Sequence, residues 1–179
     1  PQTVVGIITL GITLFLVVSV NPVLKKRFVA DVSSIELPIE VSGWNGANIR
    51  IAIWKCSTDA FKNSVIFGYG IGDQGVNREK CYQAYSFYGV FGTDLNSHNQ
   101  FLEYGLIGGL VLILLFIFQI GYSIKVALNS RSILHLSFLI LFVVTCCGES
   151  LLEQHKGIIF FSYFNSLFLF MPRVIENKL

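Results

Sequence analysis

The sequence predicts an all-α membrane protein with about four transmembrane helices and a large, partly helical extracytoplasmic loop. Three observations predict it. The 179 residues are 53% hydrophobic and 13% charged, with a mean hydropathy of +0.64; soluble domains carry roughly 25% charged residues. Four long apolar runs punctuate the chain, and inside lipid every backbone group needs an internal partner, so such runs become helices. Between the first two lies a polar stretch, residues 21–104, that holds both tryptophans and most of the charges.

The first run, Thr3–Val20, is stopped by Asn21-Pro22. It follows Pro1 with no basic segment ahead of it and no small-residue cleavage site, so a signal peptide is not expected. Residues 1–179 read as a single membrane domain, the C-terminal part of a larger membrane protein. The second run is Leu106–Leu128, the third Ile133–Cys147 and the fourth Gly157–Met171, stopped by Pro172-Arg173. A span needs about 20 apolar residues. The first two runs qualify; the other two must borrow length from their flanks. Asn129-Ser130-Arg131-Ser132 is a tight turn, and residues 151–156 join the last two runs. The net charge of +2 is too small to suggest nucleic acid.

Within the loop, Ile49, Ile53, Cys56 and Ala60 recur at helical spacing, which predicts a short amphipathic helix on the membrane surface. Arg50 on that helix has two readings: stacking on Trp54 four residues on, or a bidentate clamp for a phosphate. Gly70, Gly72 and Gly75 satisfy G-x-G-x-x-G, but no βαβ alternation surrounds them, so a tight turn is the reading and a dinucleotide site is not. Arg78 and Lys80 read from their surroundings as solvated surface. His98 falls at helical spacing with Phe101, Leu102 and Gly105. By itself it reads as an interfacial cap, though a neutral imidazole there could accept a proton from a hydroxyl. Glu149 and Glu153 are placed on one helix face at the end of the third run. Cys146 and Cys147 read as packing. Cys56 and Cys81 are the loop's only cysteines, and a disulfide between them is expected if the loop lies in an oxidising compartment. No C-x-x-C or D-x-D motif is present, so neither metal nor cofactor is expected.

In order, "NIRIAIW", "FGYGIGD" and "SHNQFLEYGLIGGL", followed by "GESLLEQHKGIIFFSYFNSLF", resemble the O-antigen ligase and polymerase family of membrane glycosyltransferases. The resemblance covers Arg50 to Phe170. It implies a bacterial inner-membrane, multi-pass protein with the large loop in the periplasm. Charge alone leaves sidedness open, since Lys25, Lys26 and Arg27 oppose Lys125, Arg131, Arg173 and Lys178. It implies an undecaprenyl-diphosphate-linked glycan donor and a lipid A core or glycan acceptor. Catalytic roles fall to His98 and Arg50, and substrate-binding roles to Asn99, Arg78, Glu149 and Glu153. The alternatives are a repeat-unit polymerase and, from another class, a transporter or scaffold subunit without catalysis.

Overall fold

The computed structural model describes residues 44–176, with side chains to residue 170. The expected Thr3–Val20 span and the Lys25-Lys26-Arg27 cluster lie outside them. Among the described residues the chain is helical, with no strand. The order is α1 (Gly46–Asn63), α2 (Asp73–Ala84), α3 (Gln100–Asn129), α4 (Ile133–Cys146), a 3-10 turn (Leu151–Glu153) and α5 (His155–Glu176).

Helix α1 starts where Asn45 caps it, its side chain accepting from the backbone N–H groups of Ala47 and Asn48. It is the helix the periodicity predicts, but its apolar face does not lie on a membrane. Ala52, Ile53 and Cys56 are fully buried and pack with Tyr82, Phe87 and Val90. A small helical body has claimed that face because α2, hidden in a stretch that reads as merely polar, lies against it. A Cys56–Cys81 disulfide with a Cα separation of 5.5 Å joins the two helices.

Among the described residues, α3 is the one helix long and apolar enough to cross a membrane; α4 is apolar but shorter. The loop boundary expected at Tyr104 moves back, since Asn99 caps α3 and the helix begins at Gln100. Helix α3 is also broken: Gly109 has φ 63° and ψ −155°. The break is closed by another segment of chain. Tyr69 and Gly70 donate to the carbonyls of Leu106 and Ile107 at 2.7 and 2.8 Å, and Leu110 donates to Val65 O at 2.7 Å. These bonds satisfy groups that a broken helix would otherwise leave bare. Both sides of the crossing need glycine: a Cβ on Gly68 would strike the backbone of residues 106–108, and one on Gly109 would strike Ile66. Beyond the break, Leu110–Asn129 is about 20 residues, roughly 30 Å of helix.

The turn after α3 is where the sequence places it. Arg131 takes φ 51°, and Ser132 N–H reaches back to Ala127 O at 2.9 Å before Ser132 caps α4. Helices α3, α4 and α5 pack through phenylalanines, with the Phe142 and Phe161 rings 4.0 Å apart. His135 on α4 meets Asn165 on α5 at 3.1 Å, a buried polar tie between apolar helices. Helix α5 runs on through Pro172 to Glu176 rather than stopping there.

Candidate functional site

Three segments converge where α3 begins. Helix α1 supplies Arg50, the entry to α3 supplies residues 96–99, and the turn after α4 supplies residues 147–153. Glu149 stands between the other two. Its Oε1 lies 2.6 Å from Arg50 Nη2, and its Oε2 lies 2.9 Å from His98 Nδ1. Arg50 Nη1 also donates to Gly148 O at 2.9 Å, so the guanidinium grips the turn at two points. Burial works against charge on Glu149, but the hydrogen bonds from His98 and Arg50 outweigh it and hold the carboxyl below its usual range. A charged Glu149 can only accept, so His98 Nδ1 must carry the hydrogen. In the neutral imidazole the lone pair then resides on Nε2.

His98 is not on the helix face that its spacing suggests. It precedes the cap, at φ 44°, with its N–H bound to Asn96 Oδ1 at 3.0 Å. Asn99 explains the displacement. Its Oδ1 accepts from Phe101 and Leu102 N–H as the cap of α3, and its Nδ2 donates to Cys147 O at 3.0 Å. Its own N–H meets Ser150 Oγ, and next to it Gln100 Oε1 accepts from Leu152 N–H at 2.7 Å. The His-Asn-Gln run therefore binds the turn after α4 residue by residue. Arg50 does not stack on Trp54; the indole donates to Ser97 O at 2.8 Å instead.

Glu149 and Glu153 do not share a helix face, because α4 ends at Cys146 and both lie in the turn beyond it. Cys146 is buried as packing predicts, while Cys147 is exposed. Arg78 is not solvated surface: it is 4% exposed and pairs with Glu103 Oε2 at 2.9 Å and with Ser97 Oγ at 3.0 Å. Ser97 N–H donates to that same Glu103 oxygen at 2.7 Å. Glu103 is 0% exposed and was missed by sequence reasoning. Its position five residues past His98 at the mouth of an apolar run was the available signal, since buried charge demands a partner. Glu153 lies against Glu103, and its pKa is pushed up to about 7 by burial first and then by the charge and hydrogen bonding of that neighbour.

The glycine turn does open a helix, α2, with Gly72 as its cap at φ 104°, but among the described residues no strand precedes it. Nor do three His, Cys, Asp or Glu side chains stand together among them as metal ligands would.

An O-antigen ligase family model matches residues 2–117. The chain is 30% identical over 184 residues to an uncharacterized protein of Haemophilus influenzae, covering 94% of this chain and 44% of that relative. It thus spans less than half the length of that relative. No solved structure matches. The family model covers most of the chain and ends inside α3, so it takes in Arg50, His98, Asn99 and Glu103 together. This chain belongs to the O-antigen ligase family.

Proposed function

We propose that this chain carries the transfer site of an O-antigen ligase: a lipid-linked glycan, carried on undecaprenyl diphosphate, passes to a hydroxyl of a lipid A core sugar. One observation carries the reading. Glu149 binds a histidine and an arginine on its two oxygens, so a proton acceptor and an anion binder are held at one point. A carboxylate on Nδ1 fixes the imidazole with Nε2 free, the arrangement by which a histidine removes a proton from a hydroxyl. The acceptor oxygen attacks the anomeric carbon as the sugar–phosphate bond breaks. The proton goes to His98, and the electron pair leaves with the diphosphate. Arg50 uses only part of its donor set on Glu149 and Gly148; its remaining N–H groups suit the growing phosphate charge. A single displacement inverts the anomeric centre.

A lipid-anchored diphosphate sits at the membrane interface. The roughly 30 Å of uninterrupted helix that begins past Gly109 supports an interface near Gly109, with His98 eleven residues before it on the extramembrane side. The extramembrane body then faces the periplasm, where the Cys56–Cys81 bond is at home. In the full bundle α3, α4 and α5 act as spans.

The test is complementation of a strain lacking the gene. Wild type should restore polymer on surface lipid, and His98→Ala or Arg50→Ala should leave long lipid-linked chains unattached. Single repeat units on surface lipid in the deletion strain would instead identify a polymerase.

A further inference from the structure

A cleft of about 800 Å³ opens beside Asn96. Asp94, Asn96 and Glu153 give it polar walls; Tyr104, Ile107 and Leu152 give it apolar ones. Arg78 and Glu153, which both line it, connect it to a further carboxyl, that of Glu103. Glu103 is fully buried, with Oε2 engaged by Arg78 and Ser97 and with Oε1 lacking any donor. A buried carboxylate oxygen without a donor is costly. The Glu153 carboxyl lies against Glu103 and can donate only when protonated. Burial, then the neighbouring Glu103 charge, pushes the Glu153 pKa up to about 7, so Glu153 loses its proton near neutrality. Arg78, Asp94, Glu103 and Tyr104 are the other charged or titratable groups around Glu153 in this cleft.

We infer that this cleft is a saccharide subsite for the acceptor, with Glu153 and Asn96 binding sugar hydroxyls while the apolar wall takes a sugar face. The inference rests on the transfer reading above. The chemistry favours a neutral sugar over the donor's diphosphate. Two acidic side chains, Glu153 and Asp94, line the cleft, and the nearby Arg78 is already committed to Glu103. A protonated Glu153 carboxyl both donates and accepts, which matches a hydroxyl, itself donor and acceptor. Asn96 lines the cleft and also accepts from His98 N–H, so the cleft adjoins the loop that carries the proposed base.

Saturation-transfer NMR on the full-length protein in nanodiscs tests this. The probes are two lipid-free oligosaccharides of the parent strain: its lipopolysaccharide core and one repeat unit of its surface polymer. At least one should bind wild type, about tenfold more weakly at pH 8 than at pH 6, where Glu153 keeps its proton. Glu153→Gln, a neutral side chain that cannot titrate, should bind equally at both pH values. Glu153→Ala should lose about tenfold at pH 6. Binding of neither probe, pH-independent wild-type binding, or wild-type affinity in Glu153→Ala would each overturn the subsite. His98→Ala should bind the probe normally while losing transfer. If His98→Ala transfers normally, the chemistry assigned above fails and the subsite stands on the binding data alone.

Discussion

Arg50 Nη2 and Glu149 Oε1 lie 2.6 Å apart across 99 residues of sequence, joining helix α1 to the turn after α4. Both side chains are partly open to solvent, so little stability is expected from the pair. Its effect is positional, and it sets the first prediction.

Glu149→Ala should reduce transfer nearly as far as His98→Ala, roughly 10²-fold or more, because the imidazole loses the acceptor that fixes its tautomer. The double variant should be little worse than either single one, since the two act as a unit. Ligation assayed in membranes at matched protein levels checks this; additive losses would show that the two residues act separately.

Arg50→Lys should impair transfer more than it impairs folding. An ammonium reaches one partner but cannot span Gly148 O and Glu149 together, and it offers no planar fork to a diphosphate. Full transfer by both Arg50→Lys and Arg50→Ala would remove Arg50 from the mechanism.

The glycines of the helix break should be unequal. Gly68→Ala and Gly109→Ala force a Cβ into backbone and should cost roughly 1–3 kcal/mol or prevent accumulation. Gly70→Ala shares the positive φ but meets open space, so its cost should stay near 1 kcal/mol. Membrane-extracted yield and thermal shift would separate them.

Cys56→Ser, Cys81→Ser and the double variant should each lose about 2–4 kcal/mol, the usual range for a removed disulfide. The double variant should match the singles, because either change breaks the same bond. Maleimide labelling of both residues in untreated wild-type cells would contradict the prediction.

Two carboxyls four residues apart should titrate in opposite senses. Glu153 binds its proton more tightly folded than unfolded, about 7 against an ordinary 4.5. Its stabilising contribution is therefore complete below 4.5 and lost as pH rises through about 7. Glu149 is shifted down, so its contribution is present above 4.5 and lost as pH falls below that value. In thermal shifts across this range, Glu153→Gln should flatten the decline on the neutral side, and Glu149→Gln the decline on the acid side.

Local signals made much of this architecture legible. The run of apolar residues after Tyr104, the Asn129–Ser132 turn and the 3.6-residue rhythm of α1 are each written in neighbouring residues, and each is present. What escaped depends on distance. Arg78 looked like a surface cation because its partner Glu103 lies 25 positions on, within the run-up to an apolar segment. The apolar face of α1 looked membrane-facing because nothing near it announces α2. Leu106–Leu128 read as one uninterrupted span because hydropathy does not register backbone angles; the adjacent Gly108 and Gly109 were the visible trace of the break. The candidate site was legible as a set of residues but not as a geometry. His98 and Arg50 were both singled out, yet the residue that connects them was placed on a helix that ends before it.

The crossing of residues 65–70 over Gly109 acts as a depth gauge. One backbone segment is locked to both halves of α3 at the point where its uninterrupted membrane-length portion begins. That segment leads directly from α1 to the glycine turn, so main-chain bonds help to fix the level of α1 along α3. On the proposed reading of α3 as a span, α1 and Arg50 travel with that helix whatever lipid thickness surrounds it.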